Sequence, residues 1–593
     1  MQLAAGGFNE SIGDRLMGRI RIELKDAYKR YTLDQDKICS PGETVKRFLE
    51  RLEMMDLDIL AGTMRIDNGR LDIPVYFSFC GKDAQKIIGT KKQMGKGGTP
   101  QQSEASAVME LAERFSFYSF CKDTSNFILD ESRNLDQKLM LPFELIAKSV
   151  HDKSDELDKT MKIFSSIPMR WTWAYNLTRQ KEYLIPFDWF YAINEYNGTS
   201  AGNCVEEALI QGICEVIERH VSSIISRNRI RMQAIRVESV TEPLCLEMID
   251  KYKSVGIKLY ITDFSLNTGI PTVGVLAYDP STFPDKSEIV WTAGTTPNPQ
   301  KALSRALTEV AQLAGDFNSC SSYVASGLPK FHSLDEAEFV INPDGYINID
   351  QLPDISNNNI RIEIEKAVSA LSKIGLEILV INVTHPALKI PAYYTIIPGA
   401  HFRERAANTS VAMFCAKLLA QNLKPQSAIT RLLEMDRLMP GKYYIKFFIG
   451  LTYLSMRQPS KAIMYLKEAL ELRPNKEDIP SIYSYMGVCL KEMESFREAI
   501  EVLKKGEQYD RERKDIYNLM GYCYFKLKEH KKAIDCFRKV IKIDPSSAID
   551  YANIASNYRE MGDRESAIRY YSLALELDPD IGFAMDNLKK LLS

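Results

Sequence analysis

Three absences narrow what this chain is. It has no pair of cysteines spaced C-x-x-C, although eleven cysteines are scattered along its 593 residues. An odd number at irregular spacing excludes a zinc ribbon or a disulfide framework and predicts reduced thiols, most of them small buried hydrophobes. No window approaches the roughly 18 consecutive apolar residues of a membrane span, and the opening "MQLAAGGFNESIGDRL" has no apolar core of signal-peptide length, so a cytoplasmic location is expected. Nor is there an excess of either charge. Lys and Arg number 76 and Asp and Glu 78, a formal net charge of −2. General nucleic-acid binding relies on a basic surplus, so neither nucleic acid nor membrane is expected as a partner.

What is present reads as globular. A chain of this length exceeds one hydrophobic core and predicts several domains. The last third repeats itself. "KAIMYLKEALELRP", "EAIEVLKKGEQYD", "KAIDCFRKVIKIDP" and "SAIRYYSLALELDP" carry Ala-Ile pairs at Ala462, Ala499, Ala533 and Ala567, and the last two intervals are 34 residues. Gly487, Gly521 and Ala555 keep the same step, as do Pro545 and Pro579. Small residues let paired helices approach closely, and proline ends the second helix before the next hairpin begins. The period resembles that of the tetratricopeptide repeat. Four repeats are expected at 441–593, closed by a helix around "IGFAMDNLKKLLS", after a helical connector at 406–440.

Residues 1–405 have another texture. "EVIERHVSSIISR" and "KALSRALTEVAQLA" have helical spacing. "DIPVYFSFCG", "GIPTVGVLAYD", "GLEILVINVT" and "IPAYYTIIPG" read as strands rich in β-branched and aromatic residues. The fold class expected is α+β: a large mixed α/β domain followed by an all-α repeat array.

The stretch "SAGNCVEEALIQGICEVIERHV", residues 200–221, raises a question of charge. Read as a helix at about 100° per residue, it places Glu207, Gln211, Glu215 and Glu218 within roughly 80° of one another. Nearly everything else on it is apolar, and a helix apolar on most sides is buried. Buried carboxylates need cations or protons. "GKGGTPQQSEASAVMELAERFSF", residues 95–117, repeats the pattern with Ser106, Glu110 and Glu113. E-x-x-E-R thus occurs twice, and facing helices would gather four carboxylates, with Glu207 a fifth. No Cys or His shares the stripes, which disfavours zinc, copper and iron, whereas all-oxygen sites suit magnesium or calcium. Two or more magnesium ions bridging a nucleotide triphosphate would use so many acids. Salt bridges to neighbouring arginines would also satisfy them, and the residues alone leave both readings open.

These motifs resemble the YcaO family, enzymes that use ATP and magnesium to activate a peptide backbone amide. The pieces run in the family's order through most of 20–405: "SPGETVKRFLERLEMMDLDI", "RLDIPVYFSF", "GKGGTPQQSEASAVMELAERF", "NGTSAGNCVEEALIQGICEVIERH", "SRALTEVAQ" and "VTHPALKIPAYYTIIPG". The resemblance implies a YcaO-type catalytic domain at 1–405 that binds ATP and Mg. It implies nucleotide-binding roles for Lys37, Thr44, Lys96, Ser106, Glu110, Glu113, Ser200, Asn203, Glu207, Gln211, Glu215, Glu218, Arg219 and Arg305. Of these, Glu110, Glu113, Glu207, Glu215 and Glu218 would be the metal ligands. Glu309 and Gln312 match a later helix in less detail, and Ala314 stands where many members have arginine. No catalytic residue is assigned.

The implied chemistry is attack on the amide carbon, transfer of phosphate to its oxygen, and loss of phosphate. The product is an azoline when Cys, Ser or Thr attacks and a thioamide when sulfide does. Azoline-forming members often end in a proline-rich tail, and this chain ends "DNLKKLLS", which favours thioamidation or a role beside a ribosomal-protein methylthiotransferase. The expected partners are a peptide or protein substrate, a sulfur-delivering or TfuA-like companion protein, and a second copy of the chain in a homodimer. The competing reading is an adaptor that keeps the nucleotide-binding fold while its repeats recruit a partner. "GKGG" at 95–98 lacks P-loop spacing. His220 is read as a packed histidine, His385 and His401 carry no site, and Cys204 is read as a filler, not a nucleophile.

Overall fold

The computed structural model describes residues 21–90, 92–152, 154, 156–320, 323, 327–402 and 409–593. The chain divides into two compact units, one from the described residues of 1–154 and 169–410, the other from those of 155–168 and 411–593.

In the first unit, β1 (Leu60–Arg65), β2 (Val75–Cys80) and β3 (Lys92–Lys96) make an antiparallel sheet in that order. β4 (Ile128–Glu131), β5 (Pro168–Asn176), β6 (Lys181–Pro186) and β7 (Thr199–Ala201) belong to a second sheet. β8 (Ala234–Ile235), β9 (Lys258–Asp263), β10 (Thr272–Tyr278), β11 (Val290–Thr295) and β12 (Tyr346–Ile347) form a third, in the order β11-β10-β9-β8-β12. β13 (Leu379–Asn382) and β14 (Ala392–Ile396) complete the second sheet in the order β4-β5-β13-β14-β7, with β6 on β5. The four expected strands are β2, β10, β13 and β14. Strands such as β11 and β14 are buried at every residue and so lack the apolar–polar alternation of a half-solvated strand.

Four helices carry the site: α1 (Pro41–Glu53), α2 (Pro100–Lys122), α3 (Val205–Asn228) and α4 (Pro299–Ala314). α2 lies on β2 and β3, α3 on β7, β11 and β14, and α4 on β3, β10 and β11. Their starts are fixed locally. Thr99 caps α2, accepting from the Gln102 N–H, with Pro100 in the first turn; Asn298 caps α4, accepting from the N–H groups of Gln300 and Lys301.

One sequence expectation shifts by a few residues. Residues 199–201 are strand, paired with β14, and α3 begins only at Val205. Gly202 makes the turn between them, where an added Cβ would lie 2.5 Å from the Ala208 nitrogen. Lys96 is the last residue of β3.

In the second unit, α5 (Val411–Asn422) and α6 (Pro425–Leu438) precede four antiparallel pairs. These are α7 (Tyr443–Ser455) with α8 (Pro459–Glu471), α9 (Ile479–Glu492) with α10 (Phe496–Tyr509), α11 (Lys514–Lys526) with α12 (His530–Ile543), and α13 (Ala548–Glu560) with α14 (Arg564–Leu577). α15 (Gly582–Leu592) closes the array. Ala462, Ala499, Ala533 and Ala567 are fully buried, and a Cβ on Gly487 would meet Leu503 at 2.5 Å. The first repeat interval is longer because residues 472–478 link α8 to α9, whereas four residues make each later link, 510–513 and 544–547. The helix Leu157–Phe164 joins this unit by packing on α5. Nothing in the sequence marked that short segment as separate from its neighbours. Expectations for residues 1–20 and 405–408 lie outside the described residues. Among the described residues no helix is long and apolar enough to cross a membrane.

Candidate functional site

α2, α3 and α4 turn their polar stripes toward one cavity of about 280 Å³, bounded also by β3 and by residues 35–44. Thirteen of the fourteen expected residues line it: Lys37, Thr44, Lys96, Ser106, Glu110, Glu113, Asn203, Glu207, Gln211, Glu215, Glu218, Arg219 and Arg305. Ser200 does not. It is fully buried on β7, and its hydroxyl donates to the Ala208 carbonyl at 2.7 Å, tying strand to helix.

Each carboxylate has a different setting. Glu207 is committed to the backbone: it accepts from the N–H of Ile38 at 2.5 Å and from the N–H and Nδ2 of Asn203 at 2.9 and 3.0 Å. It therefore pins the 35–39 segment to the start of α3. Glu218 accepts from the Thr295 N–H at 3.0 Å and from Arg305 Nε at 3.2 Å. With its amide oriented by the hydrogen-bond network, Gln211 accepts from Arg305 Nη1 at 2.7 Å. Glu113 accepts from Thr199 Oγ1 at 2.6 Å and lies 3.2 Å from Arg114 Nη1. Glu110 and Glu215 are held most loosely, 3.6 Å from Arg114 Nη2 and 3.8 Å from Arg219 Nη2.

Thus the salt-bridge reading of the sequence is realised in part: the acids are paired with arginines, yet incompletely. Among the described residues no three His, Cys, Asp or Glu side chains are grouped so as to hold a metal ion. The expected metal set of Glu110, Glu113, Glu207, Glu215 and Glu218 is not preassembled around one centre, because each acid is drawn to its own N–H or guanidinium. Burial shows the remaining cost. It pushes the Glu113 carboxyl up to about 8, Arg114 opposing and Glu215 and Glu110 adding to the rise. It also raises Glu110. Lys96, ion-paired with Glu309, is brought down to about 7, by burial first and then by Arg305. Acids that burial disfavours as anions are the ones a divalent cation would satisfy, so the donor set fits oxygen-bound magnesium.

The remaining walls were partly missed. Arg114 and Glu309 line the cavity, as do Gln35, Gln102, Gln312, Met94 and Met109. Arg114 was legible as the closing residue of E-x-x-E-R. The methionines gave no sequence signal because apolar residues on a helix or strand usually mean core. Thr44 is buried and its hydroxyl donates to the Ser40 carbonyl at 3.0 Å. Ala314 packs in the hydrophobic core beside Phe317 and away from the cavity, so an arginine there is not missed by an empty place in the wall. Cys204 caps α3, its sulfur accepting weakly from the Glu207 N–H at 3.5 Å, and burial pushes its thiol up to about 12. His220 is buried, accepts from the His401 N–H at 2.9 Å, and burial lowers it to about 4. Both are packed residues.

The family model described as YcaO cyclodehydratase, ATP- and Mg2+-binding, matches residues 94–401. The chain belongs to the YcaO family. Tetratricopeptide-repeat models match 443–476, 515–547 and 551–581. An uncharacterized protein of Methanothermobacter thermautotrophicus is 26% identical to this YcaO protein over 381 residues, covering 60% of this chain and 93% of the relative. The ribosomal protein S12 methylthiotransferase accessory factor YcaO of Escherichia coli is 28% identical over 244 residues, 37% of this chain and 40% of that one. A solved heterocyclase, in complex with substrate and cofactor, superposes with a TM-score of 0.53 at 21% identity, covering 65% of this chain and 55% of its own. That likeness concerns the fold. As a YcaO protein the chain carries an ATP- and Mg2+-binding domain.

Proposed function

We propose that this YcaO protein activates a peptide backbone amide with Mg–ATP, leading to a thioamide or an azoline in a peptide or protein substrate. The observation that carries the reading is the convergence of two E-x-x-E-R helices on one cavity, where six carboxylates meet five cations. That set lacks a net charge large enough to repel a triphosphate once divalent ions are added.

Glu110, Glu113 and Glu215 would hold magnesium, being the acids least satisfied by the protein. Arg305, fixed by Glu218 and Gln211, would meet phosphate oxygens, with Arg219 and Lys96 adding charge. Glu207 would close the nucleotide under residues 35–39. Met94 and Met109 would offer an apolar wall to the base. The bound nucleotide supplies the phosphoryl group that turns the amide oxygen into a leaving group. The protein's part is positioning and charge neutralisation in a site shielded from water.

The test is calorimetry with Mg–ATP, alongside phosphate release with and without candidate peptides. Glu215→Gln is expected to weaken nucleotide binding by about 10–100-fold, as loss of a metal-site group does. If both Glu215→Gln and Glu218→Gln leave binding and turnover unchanged, the reading fails. A second reading, an accessory role beside a ribosomal-protein methylthiotransferase, is favoured by the similarity to the Escherichia coli protein. Mass spectrometry separates the two: oxygen-to-sulfur exchange or loss of water in a substrate marks the enzyme's own chemistry.

A further inference from the structure

Arg114 closes the first E-x-x-E-R motif and lines the cavity beside the acids of α2. Its guanidinium is shared among several partners. Nη1 lies 3.2 Å from Glu113 and donates to Thr199 Oγ1 at 3.1 Å, and Nη2 lies 3.6 Å from Glu110. A close N–H to carboxylate bond measures about 2.7–2.9 Å, so neither acid holds the arginine tightly. The remaining partner is a ring. The guanidinium carbon is 4.2 Å from the ring centroid of Tyr196, inside the roughly 6 Å reach of a cation–π contact.

Tyr196 is not among the residues that line the cavity. It stands on a well-anchored turn. Its carbonyl accepts from the Thr199 N–H at 3.1 Å and lies 2.8 Å from the Thr199 hydroxyl. Asn197 donates through its N–H and Nδ2 to the Asn194 carbonyl at 2.9 and 2.8 Å. Gly198 has a φ of +92°, and a Cβ there would lie 2.3 Å from the backbone oxygen of Thr395 on β14. Arg114 thus has two acids that line the cavity and an aromatic face that does not. Its counterpart in the second motif differs: Arg219 lies against Gly327, where an added Cβ would be 2.8 Å from Nη1 and no side chain offers such a face.

We propose that Arg114 is the protein's own counter-cation for Glu110 and Glu113, and that Tyr196 is its second seat: when a divalent ion takes the two acids, the guanidinium leaves their oxygens and stays on the ring. This rests on the reading of the main cavity as the Mg–ATP site, and it adds Arg114 and Tyr196 as positioning residues. A guanidinium and magnesium compete for the same carboxylate oxygens, and two cations at one acid pair repel each other. The ring attracts the guanidinium through its quadrupole and offers magnesium no anionic oxygen. Without metal the arginine has the acids as well as the ring. With metal bound only the ring and Thr199 are left to it, so loss of the ring costs more in the loaded state. A ligand equilibrium shifts by that difference between the two states.

The experiment uses the full chain with Mg and a non-hydrolysable ATP analogue. Calorimetry gives the Mg concentration at which uptake of the analogue is half-maximal. Tyr196→Leu is expected to raise it several-fold, and Tyr196→Phe, which keeps the ring, to leave it at the wild-type value. Tyr196 is 39% exposed, so neither change opens a core, and thermal melting checks that both variants fold. A crystal structure of the loaded wild-type chain decides the matter without any variant. It is expected to show metal on Glu110 and Glu113, with the Arg114 guanidinium withdrawn from both and still over Tyr196. Equal Mg dependence of Tyr196→Leu and wild type, or an equal loss in both Tyr196 variants, overturns the inference. So does a loaded structure in which Arg114 stays paired with both acids or contacts phosphate. Failure of the wild-type chain to take up the analogue with Mg overturns the premise instead, the reading of the main cavity.

Discussion

Glu207 and Glu215 stand two turns apart on one helical stripe, yet the structure gives them different work. Glu207 spends its oxygens on the N–H groups of Ile38 and Asn203, whereas Glu215 has only a distant arginine. Glu207→Gln is therefore expected to speed amide exchange at Ile38 and Asn203 before any metal is added, since hydrogen bonds to a charged group contribute about 1.5–3 kcal/mol. Glu215→Gln is expected to change exchange there only when magnesium and nucleotide are present. Equal behaviour of the two variants without metal sinks the distinction. His385 gives a pH test away from the cavity. It packs on Phe115 at 5.0 Å and accepts from the Leu388 N–H at 3.3 Å, and burial lowers it below its usual 6.5. A histidine held neutral in the fold takes up its proton more readily when unfolded, so stability falls as pH drops below 6.5. The urea midpoint is expected to decline over that range, and His385→Gln to flatten the decline. The sequence showed which residues were acidic and on which face. It could not show that Glu207 binds backbone, because Ile38 is remote in the chain and only the folded loop brings it there.

At the scale of elements, the site depends on how closely helices sit on strands. At Gly95 of β3 an added Cβ would lie 2.1 Å from the Ala107 nitrogen and 2.3 Å from the Ser103 oxygen, both backbone atoms of α2. Backbone cannot rotate aside as a side chain can. Gly95→Ala is expected to lift α2 from β3, destabilise the unit by about 1–3 kcal/mol, and weaken nucleotide binding by moving Ser106, Glu110 and Glu113. Thermal melting and calorimetry check both effects, and a variant of native stability refutes the close approach. α2 and α3 were legible because their stripes repeat at 3 and 4 residues, and the repeat array was legible from its period. The boundary at 199–204 was not, because "TSAGN" has neither period, and its pairing with β14 is a contact across nearly 200 residues of chain.

For the whole molecule, the cavity belongs entirely to the first unit: every residue lining it falls within 35–114 or 201–312. Adding Mg and a nucleotide analogue is expected to protect amides of α2, α3, α4 and residues 35–44 against exchange, while α7–α15 keep their free-state rates. Protection of the repeats alone would assign the ligand to the wrong unit. The helix Leu157–Phe164 is a reminder that units are not always continuous in sequence, since it leaves the first unit's chain to pack on α5.

Local periodicity was enough to determine α2, α3 and α4, the repeat array and the two acidic stripes, and composition four of the strands, because spacing along the chain sets which side chains share a face. Tertiary structure decided the rest: which acids clamp backbone and which are held only by a distant arginine, and that Ser200 joins strand to helix outside the cavity. Those outcomes depend on distances between segments far apart in the chain, and such distances have no period for a sequence to display.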